Sequence, residues 1–151
     1  MKKIYNFFKL YKFKIAILFL LLVLFIFLNS FIYVNNIAFD LQKNVFRLHV
    51  IANSNEEKDQ SLKYKVRDNL INYMHNLCIN SKSKKETMDI VSNHIDDFVY
   101  IANQTILDNG FDYMANVEIG NFEFPTKQYG DISFPAGYYD ALEVKIGKAS
   151  R

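Results

Sequence analysis

Cysteine, histidine and, near the start of the chain, acidic residues are scarce in this sequence, and each shortage excludes a class of structure or chemistry. Cys78 is the only cysteine, so the chain can form no internal disulfide and no cysteine-based zinc site. The three histidines, His49, His75 and His94, show no metal-binding spacing such as H-E-x-x-H. The sequence therefore predicts no metal and no cofactor.

No acidic residue precedes Asp40, whereas five lysines lie in residues 1–14 and an uncharged, mostly apolar run follows at 15–34. An apolar helix of about 20 residues spans the hydrocarbon core of a bilayer. A lysine-rich start is held in the cytoplasm, so the chain that follows is exported. We predict the following organisation: a basic cytoplasmic segment at 1–14, a transmembrane or signal-anchor helix at 15–34, a stalk at 35–44 and an extracytoplasmic domain at 45–151.

Retention and cleavage of the export segment both stay open. Residues 15–28 resemble the apolar core of a signal peptide, but the best small-residue cleavage candidate, Asn36-Ile37-Ala38, is a poor one. Both alternatives place the folded part outside the cytoplasm, either anchored to the membrane or secreted.

The charge of the predicted domain argues against a nucleic-acid partner. Removing the five N-terminal lysines from 18 basic residues leaves 13, against 16 acidic residues, so the rest of the chain has a net charge of −3. Binding to nucleic acid depends on neutralising phosphates with lysine and arginine. We therefore predict a partner other than nucleic acid.

Hydrophobic periodicity predicts an α+β two-layer sandwich with the order β-α-α-β-β-β. Apolar residues at helical spacing predict the buried stripe of each helix: Leu62, Val66, Leu70, Tyr73 and Leu77 on the first, and Met88, Val91, Ile95, Phe98, Ala102 and Ile106 on the second. Capping boxes of the form S-x-x-E at Ser54 and Ser83 predict two helix starts, and Asn109-Gly110 predicts the end of the second helix. A turn is predicted at Gly120-Asn121, and a structured loop at 125–137, where both prolines lie. The elements are predicted at the following positions: strands at 45–52, 112–120, 122–124 and 138–146, and helices at 55–78 and 86–108.

Five segments, in this order behind an export segment, resemble the stage II sporulation protein R family of endospore-forming Firmicutes. They are RLHVIANS at 47–54, DQ at 59–60, LKYKVRD at 62–68, FPTKQYG at 124–130 and PAGYYDAL at 135–142. The resemblance covers residues 46–147. Relatives usually continue past this point into a glycine-rich tail that contains tryptophan and cysteine, which this sequence lacks.

The resemblance implies a signalling protein and no enzyme. Members of the family are made in the forespore and exported into the space between the two septal membranes. There they activate a membrane-embedded aspartic protease of the mother cell, which processes the precursor of sigma factor E. The resemblance carries over no catalytic residue.

Polar residues of the matching segments are the predicted partner contacts, and the 59, 63, 67 spacing predicts that three of them share one face of a helix. The eight predicted contact residues are Arg47, His49, Asn53, Asp59, Lys63, Arg67, Lys127 and Tyr129. Two alternatives stay open: a membrane-anchored cell-envelope hydrolase that uses Arg47, His49 and Asp59, and a structural envelope protein with no dedicated partner.

Overall fold

A computed structural model describes residues 2–130 and 132–149, with side chains from residue 11 onward except 36–38. The chain divides into two compact units, Met1–Asp40 and Leu41–Arg151.

The first unit is helical. Helix α1 spans Lys2–Asn44, and the residues predicted as a stalk lie within it. Its part at Tyr11–Asn44 is long and apolar enough to cross a membrane, a property that signal sequences share. The side chains of residues 11–35 are exposed, so this apolar surface is left without a protein covering in the described chain.

The second unit combines helices with a sheet, as the sequence predicts. Its elements follow in chain order: β1 Phe46–Ile51, α2 Glu57–Cys78, α3 Lys84–Asn93, α4 Ile95–Asp108, β2 Ala115–Phe124, β3 Lys127–Tyr129, β4 Ile132–Phe134 and β5 Gly137–Ile146.

Strand β5 is the centre of a three-stranded sheet with the order β1-β5-β2. It pairs in parallel with β1 and antiparallel with β2. Because side chains alternate along a strand, the register sorts the sheet into two faces. The helix-facing side carries Leu48, Leu142 and Ile119 in one row, and the opposite side carries His49 and Glu143, with Glu118 beside them.

The core lies between the helices and the first of these faces. The predicted apolar stripes are confirmed: Leu62, Val66 and Leu70 of α2 are buried, and so are four residues of the later helices, Val91, Phe98, Ala102 and Ile106. They pack against buried residues of the sheet such as Val144. A helical stripe covers one wall of a core only when its spacing follows about 3.6 residues per turn, which these spacings do.

The predicted second helix is two helices, α3 and α4, separated at His94. The backbone of His94 has φ −119° and ψ 21°, which is outside the helical region. Its Nδ1 lies 2.9 Å from the carbonyl oxygen of Ile90, and its backbone N–H donates to Val91. The His94 side chain thus occupies the carbonyl of Ile90, which would accept from the backbone N–H of His94 in a continuous helix. The apolar spacing does not reveal this break.

Of the two predicted capping boxes, the one at Ser54 is wrong, and the one at Ser83 is confirmed only in its serine cap, because Glu86 Oε2 accepts from the N–H of Lys82. Ser83 Oγ accepts from the N–H of Glu86 at 3.2 Å. Helix α2 begins only at Glu57, and Ser54 Oγ accepts from the N–H of Glu56 while donating to Asp59 Oδ2 at 2.6 Å. The hydroxyl of Ser54 thus closes a turn before the helix, and the helix begins three residues after it.

The predicted turn at Gly120-Asn121 is wrong, because β2 continues through both residues. All ten of its residues pair with β5, from Ala115 with Ile146 to Phe124 with Gly137. A Cβ atom at Gly120 would lie 2.9 Å from Cζ of Phe122, so the glycine makes room for an aromatic ring. The loop predicted at 125–137 contains a small hairpin of β3 and β4.

Candidate functional site

A cleft of about 360 Å³ lies beside strand β1, bounded by α2 on one side and by the segment from the end of β2 to β3 on the other. We call it the β1 cleft. Six of the eight predicted contact residues line it: Arg47, His49, Lys63, Arg67, Lys127 and Tyr129. These residues come from three separate stretches of the sequence, and the fold brings them together.

The floor of the cleft holds Arg47 in an aromatic stack. Its guanidinium carbon lies 3.9 Å from the ring centroid of Phe124 and 4.8 Å from that of Tyr139. Tyr139 is itself fixed, since its hydroxyl donates to the carbonyl oxygen of Pro135 at 2.7 Å. Burial raises the pKa of Tyr139, and the charge of Arg47 opposes this shift. Arg47 Nη1 is buried and has no acceptor among the described residues.

A row of ionisable groups continues from His49 across the sheet. His49 Nδ1 lies 3.0 Å from Glu143 Oε2, and Lys145 Nζ donates to Glu143 Oε1 at 2.8 Å and also to Glu118. Glu143 is only 5% exposed, so these two partners compensate its burial. The hydrogen bonds that Lys145 donates to Glu118 and Glu143 raise the pKa of Lys145. The carboxylate partner of His49 is therefore Glu143, and not the Asp59 of the hydrolase hypothesis.

Helix α2 supplies the first wall of the cleft through Lys63, Tyr64 and Arg67. The Tyr64 ring contacts two cations, with Lys63 Nζ 4.6 Å and the Arg67 guanidinium carbon 4.9 Å from its centroid. Arg67 also donates to Asp68 Oδ1 from Nε and Nη2, at 2.8 and 2.7 Å. The wall therefore combines an aromatic surface with two cationic groups that reach solvent.

Strand β3 and the end of β2 supply the second wall. Lys127 and Tyr129 are exposed, and alternation along a strand puts them on the same face of β3. The Tyr129 ring lies 5.7 Å from that of Phe134 in an edge-on arrangement. Within the part of the chain that the structure describes, Glu123 is the only acidic residue that lines the cleft, against four lysines and arginines. The cleft is therefore cationic although the chain beyond the N-terminal lysines has a net negative charge.

Asn53 and Asp59, the other two predicted contact residues, form a separate hydrogen-bonded hub with Ser54. Asp59 Oδ2 accepts from Asn53 Nδ2 at 2.9 Å and from Ser54 Oγ at 2.6 Å. Asn53 Oδ1 accepts from the backbone N–H of Lys148 at 2.9 Å. The hub thereby joins the segment after β1 to the first turn of α2 and to the segment after β5.

The hydrogen bonds of the hub stabilise the charged form of Asp59. Donation by Ser54 contributes most to lowering the pKa of Asp59, and Asn53 and Tyr113 act in the same direction against the effect of burial. Asp59 is 2% exposed, so it does not share the solvent face of Lys63 and Arg67 that the spacing predicts. Four residues advance an ideal helix by about 40° beyond a full turn, and this drift takes Asp59 to the inner side.

Sequence reasoning missed Tyr64, Phe124 and Glu143. Tyr64 and Phe124 lie inside the segments that carry the family resemblance, so their positions were a signal that could have been used. Glu143 gave no such signal, because its pairing with His49 depends on the register between β1 and β5, which are far apart in sequence. Among the described residues there is no group of three or more histidines, cysteines and acids that could hold a metal ion.

Comparison with known proteins identifies the family. The stage II sporulation protein R family model matches residues 42–151. Stage II sporulation protein R of Bacillus subtilis (strain 168) is 30% identical over 101 residues, which are 67% of this chain and 45% of the relative. The chain thus spans less than half the length of the curated relative that it matches. No solved structure matches. By the extent of the family match, the chain belongs to the stage II sporulation protein R family.

Proposed function

We propose that the unit Leu41–Arg151 is an exported sporulation signal that activates a membrane-embedded aspartic protease by binding it through the β1 cleft. Family membership supports the sporulation role. The observation that carries the choice of surface is the convergence of six predicted contact residues on one cleft. On this proposal the protease lies in the mother cell and processes the precursor of sigma factor E.

The N-terminal segment supports export from the forespore. Five lysines precede a helix that is apolar enough to cross a bilayer, and this polarity keeps the lysines on the cytoplasmic side. The unit that carries the cleft then lies between the septal membranes, either anchored or released. This is the compartment from which a membrane protein of the mother cell can be reached.

Activation by contact requires that the cleft bind one state of the protease better than another. A ligand that moves a two-state equilibrium from 1:99 to 99:1 binds the favoured state about 10⁴-fold more tightly. Lys63, Arg67 and Lys127 offer charge-assisted hydrogen bonds, and Tyr64 and Tyr129 offer aromatic surface. The cleft therefore has the groups that carry large differences in affinity at protein interfaces.

The test replaces cleft cations in a sporulating host and measures processing of the sigma factor precursor. The double variant Arg67→Ala, Lys127→Ala is expected to reduce processing at least about tenfold, because two charged contacts at an interface are lost. Lys85→Ala is the matched control, since Lys85 is an exposed lysine that lies outside the cleft. Both proteins must accumulate to the wild-type level in the forespore.

Two results would contradict the proposal. Normal processing by the double variant would remove the β1 cleft from the mechanism. Hydrolysis of cell-wall material by the purified wild-type chain without a partner, lost in His49→Ala, would favour the hydrolase alternative instead.

A further inference from the structure

Strand β1 is an edge of the sheet, and no other described strand pairs with its outer side. It pairs only with β5 among the described residues, over six residues in an unbroken register. In a parallel pair, alternate residues point their N–H and C=O groups away from the partner strand. The outer edge of β1 thus makes no ladder with another described strand over a length of about 20 Å. Neither a proline nor a break in the register protects this edge.

The outer edge of β1 borders the β1 cleft. Leu48 and Val50 of β1 line the cleft together with Lys63 and Arg67 of α2, and Lys127 lines it from β3. A strand laid along β1 would direct alternate side chains to opposite sides, because successive side chains of a strand alternate. Both walls of the cleft could then contact such a strand.

The charge of the cleft selects the chemistry of that strand. Among the described residues that line the cleft, four are cationic and Glu123 is the single acid. Among the described residues, Arg67 pairs with the exposed Asp68 and contacts the Tyr64 ring, and Arg47 Nη1 has no acceptor. A segment with carboxylates can satisfy these donors, whereas a basic segment would be repelled.

We propose that the β1 cleft binds an extended, acidic peptide segment of its partner, which pairs with the free edge of β1 as an additional strand. Main-chain hydrogen bonds to β1 supply affinity, and contacts of carboxylates with the lysines and arginines supply specificity. The inference rests on the proposed function for the identity of the partner protein. That the segment is extended and acidic is inferred from the strand edge and the charges of the cleft alone.

The first experiment uses peptides and the whole chain in detergent micelles. The probe is a ten-residue capped peptide of alternating glutamate and threonine, and the control has lysine in place of glutamate. The acidic peptide is expected to bind the wild-type chain and to slow the exchange of alternate β1 amides in NMR spectra. It is expected to bind the double variant Lys63→Glu, Arg67→Glu at least about tenfold more weakly. The lysine peptide is expected not to bind.

A second peptide separates backbone pairing from charge and needs no protein variant. It is the acidic peptide methylated at every backbone nitrogen, which keeps its carboxylates and loses its N–H donors. It is expected to bind at least about tenfold more weakly than the parent peptide. Equal binding of the two acidic peptides, or binding that protects no β1 amide, would overturn strand addition. No binding of the acidic peptide, or equal binding of the lysine peptide, would overturn the proposed chemistry.

The two proposals fail separately in these experiments. If the acidic peptide pairs with β1 while the cleft variants process the sigma factor precursor normally, the proposed function is wrong and the strand site stands. If the cleft variants abolish processing while both acidic peptides bind alike, the cleft functions without strand addition.

Discussion

Replacing Asp59 by alanine removes the centre of the hub that joins β1, α2 and the segment after β5. Asp59 is buried and accepts from Asn53 and Ser54 at 2.9 and 2.6 Å. Each hydrogen bond to a charged group contributes about 1.5–3 kcal/mol, and a donor left without a partner costs about 1–3 kcal/mol if it stays dry. Asn53 and Ser54 are only partly buried, so water satisfies them in part. We therefore expect a loss of about 3 kcal/mol.

Urea unfolding of the whole chain in micelles measures this loss. With a slope of about 1.5 kcal/mol per molar urea, the midpoint of Asp59→Ala falls by about 2 M. The signal is the near-ultraviolet circular dichroism of tyrosine, because the chain has no tryptophan. Asp68→Ala is the control: Asp68 lies on the same helix, its side chain is 58% exposed, and its loss is expected to cost less than about 0.5 kcal/mol. Equal midpoints for Asp59→Ala and Asp68→Ala would refute the structural role of the hub.

The pH dependence of the same measurement tests the charge of Asp59. Because its hydrogen bonds lower the pKa in the folded state, the carboxylate stabilises the fold at pH values above its unfolded pKa, about 3.9. That contribution is lost as the pH falls through the folded pKa. The difference in stability between the wild type and Asp59→Asn is therefore expected to be largest near neutral pH and to shrink below about pH 4. A difference that stays constant from pH 7 to pH 2 would contradict this account.

Three further changes test the core and the contacts around it. Phe98→Ala removes a fully buried ring of α4 and is expected to cost about 3–5 kcal/mol in urea unfolding, so a loss below about 1 kcal/mol would contradict the packing. Lys84→Ala breaks the 2.7 Å ion pair with Asp140 and is expected to cost about 1 kcal/mol, whereas the exposed neighbour Lys85→Ala is expected to cost nothing measurable. Burial and the bond to Asp97 raise the pKa of Tyr73 to about 12, so Asp97→Asn should lower the pH at which this tyrosine ionises in a carbon-13 NMR titration.

Local patterns predicted the helices well, because a buried stripe depends only on spacing within one segment. The stripe of Leu62, Val66 and Leu70 was read from the sequence and lies in the core. The break at His94 was not, since the apolar residues on both sides of it keep helical spacing. The S-x-x-E pattern at Ser54 did not show that this serine closes a turn with Glu56 before the helix begins at Glu57.

Contacts between distant segments set the rest of the structure. The turn expected at Gly120 gave way to a continuous strand because β5 offers ten consecutive pairing partners. Six predicted contact residues line the β1 cleft, and they were predicted from their place in the matching segments. Their meeting in one cleft could not be derived from spacing. The pairing of His49 with Glu143 likewise depends on the sheet register.

The central position of β5 fixes when this fold can form. Both other strands of the sheet pair only with β5 among the described residues, and β5 follows both of them in the chain. Until residues 137–146 have been synthesised, β1 and β2 have no partner among the described strands, and closing the loop from β1 to β5 is slow. The three-stranded sheet therefore assembles only after synthesis has passed Ile146, whereas the helices between β1 and β2 can form earlier.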